Sequence, residues 1–266
     1  MDWVQLGLVT VLAAAVQGAV GFAFTLLAVS FFLLTLHSPE AIQVILVLNL
    51  VICGSLCRQL WKDVPLGLWR LLLAGAVVGL PMGVVAFAYA SLTAIYVAVA
   101  VVILGFTLVL GWQGTPTVAT GSGDGSSDAS DTPPAGGSAP YRPPSVFAIG
   151  IVAGAMTAAV SMPGPVLVLY LTAIGVDKAT FRAVSLTLFT ALYLSAILLQ
   201  SATVGIPGSV WIAAAALVPL AWAGAALGHA GARHINEILF RRFVLLLLAA
   251  TGSYMLITTL TSSAGL

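Results

Sequence analysis

The chain has 266 residues, of which 61% are hydrophobic and only 6% charged, and its formal net charge is +1. A soluble domain carries roughly a quarter charged residues, so water is excluded as the solvent for most of this surface and a lipid bilayer is expected instead. The near-zero charge and the absence of a long basic run also exclude the electrostatic footprint of a nucleic-acid binder.

The first apolar stretch, residues 4–36, follows Met1-Asp2-Trp3 with no basic region before it. It is far longer than the ~7–15-residue core of a signal peptide and is expected to stay in the mature protein. At 1.5 Å per residue it is too long for one perpendicular crossing of a ~30 Å hydrocarbon core and too short for two. A break is expected around Gln17-Gly18-Ala19-Val20-Gly21-Phe22.

Three further apolar segments follow, at 39–60, 66–89 and 92–112. The second holds two polar side chains, Gln43 and Asn49, and two cysteines, Cys53 and Cys57, read as small hydrophobes because no His or Cys partner set accompanies them. The third carries Gly75, Gly79 and Gly83 at a spacing of four, which lets helix backbones approach closely in lipid. Residues 113–144, rich in Gly, Ser, Pro and Asp, cannot bury enough apolar area to fold and read as a flexible polar linker.

The fifth segment, 146–174, is interrupted at Ser161-Met162-Pro163-Gly164-Pro165. The sixth, 179–200, has Arg182 near its start, where the side chain either snorkels to the interface or places positive charge at a cavity mouth. The seventh, 206–230, repeats the small-residue spacing with Gly224 and Gly228 and ends at His229, expected at the interface; the eighth is 235–260.

These segments make an all-α integral membrane protein of about eight hydrophobic segments in two homologous, inverted four-segment repeats. Residues 1–112 form the first repeat, 113–144 the linker and 145–266 the second. If all eight segments crossed, the basic residues would divide four against five. If the first segment of each repeat is instead re-entrant, all nine fall on one face, which the positive-inside tendency makes cytoplasmic, with both termini outside. A tilted full span for each long segment is the competing arrangement.

Non-helical backbone at membrane depth is tolerated only where it lines protein or a water-filled cavity, so the breaks are the candidate site. Each begins a new half-helix with free N–H groups and a partial positive charge, and two such N-termini meeting near the midplane attract an anion without a fixed cation. The candidate binding residues are Gln17, Gly18, Gly21, Phe22, Asn49, Ser161, Met162, Pro163, Gly164, Pro165 and Arg182. Every Asp and Glu lies at a terminus, joint or linker, so carboxylate-based proton or sodium coupling finds no support. An inside-negative potential favours the exit of an anion by ~2.3 kcal/mol per charge per 100 mV, which makes facilitated export the economical mechanism.

The order QGAVGFAF, SPEA, RQLWKD, MPGPVLVLYL and KAT, spread over both halves, resembles the TauE/SafE sulfite exporter family. The resemblance implies a multi-pass bacterial inner-membrane permease for sulfite, sulfoacetate or other organosulfonates, exporting by alternating access or facilitated diffusion. Gly21-Phe22-Ala23-Phe24 is more hydrophobic than the glycine run common in the family, which suits a bulkier organic anion. The alternatives are an importer of a small organic acid anion and a non-transporting membrane assembly factor. An intramembrane enzyme would need a nucleophile with a base, or paired carboxylates, at depth, and neither pattern occurs. The expected partners are a small anionic solute and the bilayer, with a homo-oligomer left open; neither cofactor nor metal is expected.

Overall fold

A computed structural model describes residues 3–112, 142–231 and Ser253. The eighth predicted segment, 235–260, apart from Ser253, and most of the linker lie outside the described residues, in which every regular element is helical. In chain order these are α1 (Trp3–Val20), α2 (Phe24–Leu36), α3 (Glu40–Leu60), a short 3-10 turn (Trp61–Asp63), α4 (Leu66–Tyr89), α5 (Leu92–Trp112), α6 (Pro143–Val160), α7 (Gly164–Ala173), α8 (Lys178–Thr203) and α9 (Gly208–Gly231). Six of them are long and apolar enough to cross a membrane: α3, α4, α5, α6, α8 and α9. The chain is a polytopic helical membrane protein in composition and architecture.

Both long segments are interrupted. The first breaks at residues 21–23 and the second at 161–163, each at a backbone with positive φ: +101° at Gly21 and +59° at Ser161. A left-handed residue ends a helix by turning the chain away from its axis. Behind the second turn, Pro163 precedes the first residue of α7 and Pro165 sits in its first turn, where a missing N–H costs nothing.

The direction of each helix follows from its contacts. Gly7, Val11 and Ala15 of α1 meet Leu220, Gly224 and Gly228 of α9 in rising order, so these helices run parallel. Phe147, Ile151 and Ala155 of α6 meet Gly75, Gly79 and Gly83 of α4 in the same way. At the start of α3, Glu40 accepts a hydrogen bond from Ser209 at the start of α9, at 3.0 Å, and Gln43 donates to the Gly205 carbonyl just beyond α8, at 3.0 Å. Hence α1, α3 and α9 run one way, while α4, α6 and α8 run the other.

Each interrupted segment therefore folds back on itself. The second hairpin is also tied at its open end, where the Ser145 and Tyr170 hydroxyls lie 3.3 Å apart. The arms are unequal: α1 and α6 have 18 residues each, against 13 in α2 and 10 in α7. At 1.5 Å per residue the long arms reach ~27 Å, nearly the thickness of the hydrocarbon core.

The most buried helices, α3 and α8, form the centre, and the hairpins lie against the helices beside them. Val77, Met82 and Val85 of α4 and Ile212, Trp222 and Leu227 of α9 face outward, as lipid-facing surface requires. From the helix directions, the described basic residues Arg58, Lys62, Arg70, Arg142, Lys178 and Arg182 all stand at one end of the bundle, and Glu40 at the other.

Candidate functional site

The tips of the two hairpins lie side by side. A Cβ built on Gly164, the first residue of α7, would stand 3.2 Å from the Phe22 carbonyl oxygen and 3.6 Å from the Phe22 ring. The sequence placed a half-helix N-terminus at each break, and Phe22 and Gly164 put those N-termini next to one another.

The first tip is held from several directions. Gln17 is buried, and its Oε1 accepts from the Phe24 N–H at 2.8 Å while its Nε2 lies 3.3 Å from Cys53 Sγ on α3. This side chain, in the last turn of α1, thus satisfies the first free donor of α2, a group that would otherwise be orphaned at depth. Gly18 rests directly against the Ala225 carbonyl of α9, where any side chain would force the helices apart. Its own carbonyl accepts from the Arg182 guanidinium at 2.9 Å, and the Arg182 methylene chain lies beside Gly21.

Phe22 is wedged edge-on between Phe106 of α5 and Phe181 of α8, with centroid distances of 6.1 and 6.0 Å. This arrangement favours the positive edge of one ring over the negative face of the next. It also brings α5, otherwise peripheral, to the break.

Asn49 of α3 reaches the start of α2, where its Nδ2 donates to Thr25 Oγ1 at 2.7 Å; its Oδ1 is buried with no partner. Arg182 does more than span α8 and α1. A guanidinium nitrogen also lies 2.6 Å from His229 Nδ1 at the end of α9, while its Nε is buried without a partner. Arg182 sits one turn into α8, whose start is fixed by Asp177. That carboxylate accepts from the Ala179 and Thr180 N–H groups, each at 3.0 Å. Hydrogen bonds from the Thr180 side chain and backbone hold the Asp177 carboxyl below its ordinary range.

The second tip is built differently. Ser161 and Met162 are buried, and the Met162 N–H donates to the Met156 carbonyl at 3.2 Å. Ser161 Oγ has no hydrogen-bond partner, and no side chain caps the first turn of α7. Gln200, late in α8, donates to the Ala158 carbonyl at 2.8 Å, bracing α6 just before its turn.

The candidate residues thus gather at the paired tips, with Asn49 attached through Thr25 and Arg182 through Gly18. Thr25, Phe106 and Phe181 join them without having been singled out from sequence, and His229, read from sequence only as an interfacial residue, joins them through Arg182. Among the described residues no cluster of three His, Cys, Asp or Glu side chains is placed to hold a metal ion, and no carboxylate is buried.

Residues 6–255 match the family described as Sulfite exporter TauE/SafE. The chain belongs to this family. The match takes in both hairpins, all the helices described above and the linker between them. It bears out the resemblance carried by QGAVGFAF and MPGPVLVLYL, the motifs that form the two tips. No curated protein and no solved structure matches the chain. TauE/SafE membership makes a membrane exporter of sulfite or related sulfur anions the coarse functional class.

Proposed function

We propose that this protein is a permease exporting a small sulfur-containing anion, sulfite or an organosulfonate, through a site formed where the two hairpin tips meet. The observation that carries this reading is the apposition of Phe22 and Gly164, which joins two half-helix N-termini from opposite ends of the bundle. Backbone N–H groups and helix dipoles attract an anion there, and the buried Ser161 hydroxyl and the Arg182 guanidinium add polar character on either side. Asn49, Gly21, Met162, Pro163 and Pro165 shape the surroundings of the tips.

The two halves are inverted repeats in this reading, and the contact pattern supports it. Adding 140 to Gly7, Val11 and Ala15 gives Phe147, Ile151 and Ala155. Adding 145 to Gly75, Gly79 and Gly83, which meet those three α6 residues, gives Leu220, Gly224 and Gly228, which meet Gly7, Val11 and Ala15 of α1. The first offset also carries Gly21 onto Ser161, the two positive-φ turns. Inverted repeats with interrupted helices at matching positions are a common plan for secondary transporters. The end bearing the six described basic residues faces the cytoplasm, as the positive-inside tendency requires.

Transport is downhill. Neither proton nor sodium coupling through a buried carboxylate is invoked, and the membrane potential drives the anion outward. Proteoliposomes loaded with sulfite or methanesulfonate, under imposed potentials of either sign, test the proposal. Efflux should rise when the potential repels the internal anion. No flux for any sulfur anion at either polarity would refute it and favour an assembly role.

A further inference from the structure

The two tips differ in chemistry, and the difference assigns them different work. At the first tip the leading donor of α2 is already taken: the Phe24 N–H is bonded to Gln17 Oε1 at 2.8 Å. What this tip turns toward its partner is the Phe22 carbonyl, an acceptor, lying against Gly164. At the second tip no side chain caps α7, a ten-residue helix, so the Gly164 and Val166 N–H groups of its first turn are open while Pro165 has none to offer.

Ser161 supplies the second, independent sign. It is fully buried and its hydroxyl has no partner, three residues before α7 begins. A buried, unmade hydrogen bond is costly, and beside an uncapped helix start a ligand oxygen would supply the missing partner. Its φ of +59° is one that L side chains adopt at a cost, and the turn of the first tip uses glycine. Glycine would fit the second turn with less strain, yet would bring no donor.

Resting on the permease reading above, we infer that the oxyanion seat is built at the second tip: the α7 N-terminus and the Ser161 hydroxyl bind the sulfite or sulfonate oxygens, while Gln17 caps the Phe24 N–H and holds the fold of the first tip. The ligand class is a small tetrahedral or pyramidal oxyanion, whose several oxygens can accept from the hydroxyl and the Gly164 N–H together.

The test uses the full-length purified protein and reads the concentration of sodium sulfite, and separately sodium methanesulfonate, that gives half-maximal thermal stabilisation. Ser161→Gly keeps the left-handed turn and removes only the hydroxyl. It should raise the half-saturating concentration roughly tenfold or more, the loss of a hydrogen bond to a charged group. Ser161→Ala should show the same loss on a more strained turn. Gln17→Ala should lower the melting temperature of the ligand-free protein and shift half-saturation less than about twofold. Wild-type affinity in both Ser161 variants, or a Gln17→Ala loss as large as theirs, overturns the assignment while leaving the permease reading intact. Absence of saturable stabilisation of the wild type by either anion overturns the permease reading and this assignment with it.

Discussion

Gly79→Ala on α4 adds one methyl group at the tightest kind of contact in this fold. The new Cβ would stand 2.7 Å from the Ile151 carbonyl carbon and 2.9 Å from the Ala155 nitrogen, and closer still to the Ile151 oxygen. All three are backbone atoms of α6, so no rotamer change relieves them. Real Cβ atoms essentially never come within 3.0 Å of a neighbour, so α4 and α6 must separate by on the order of 1 Å. A gap of that size forfeits up to half of each local dispersion contact, and overpacking of this kind costs about 1–3 kcal/mol; with backbone on both sides the upper end applies. Alanine's better helix propensity returns about 1 kcal/mol, leaving a net loss of ~2 kcal/mol and a melting temperature lower by roughly 4–8 °C. Gly105→Ala on α5 is the control, because nothing lies within 4 Å of its Cβ position. Thermal unfolding in one detergent, read by loss of the monodisperse peak, should show Gly79→Ala melting early and Gly105→Ala melting at or slightly above wild type. If Gly79→Ala melts within about a degree of wild type, the close α4–α6 packing described here is wrong.

Gly164→Leu should abolish anion flux in proteoliposomes while membrane insertion stays normal, because the side chain would fill the space between α7 and Phe22; retained flux would reduce the break to a packing feature. Asn49→Ala should cost about 1 kcal/mol by removing the donor to Thr25, measured as a lower melting temperature with yield unchanged. Asp177→Ala should loosen the start of α8 by about 1 kcal/mol. Because the folded carboxyl is held below its unfolded value of about 3.9, that stabilisation is present above this pH and fades as pH falls through the lowered value. Melting curves from pH 6 to pH 3 should therefore converge for wild type and Asp177→Ala at the acid end. In a background without Cys53 and Cys57, a cysteine at Glu40 should react with impermeant reagent added outside cells and one at Asp177 should not; the reverse pattern would invert the topology.

The breaks were legible because proline and glycine act through the backbone alone. Gly21 and Pro163 announce a turn whatever surrounds them, and the turns fall at residues 21–23 and 161–163. The glycine stripes were equally readable as packing surfaces, though not which helix each would meet. Gln17 was harder. A buried amide reads alike as a donor to a solute and as a partner for its own chain, and only the fold shows Oε1 on the Phe24 N–H. His229 stands 47 residues from Arg182, and no local pattern announces that α9 ends beside the first tip. The aromatic wedge of Phe22, Phe106 and Phe181 escaped notice for the same reason, since each phenylalanine looks like ordinary lipid-span composition in its own segment. The length of α6 was a further surprise. Two prolines at its start, Pro143 and Pro144, are tolerated in the first turn, so the helix begins inside the stretch that composition assigned to the linker.

The packing of α1 against α9 also has a consequence in time. Gly18 and its neighbour His229 are separated by most of the chain, and at ~5–20 residues per second the ribosome needs roughly 10–40 s to deliver the second after the first. During that interval the small-residue face of α1 has no native partner and must wait in the bilayer. The first hairpin is thus the earliest element made, and in a nascent chain stalled before α9 its arm α1 would still lack its close-packed partner. Expressing residues 1–112 and 142–266 as separate chains would release the structure from this order of events, because either half could arrive first and still find its counterpart.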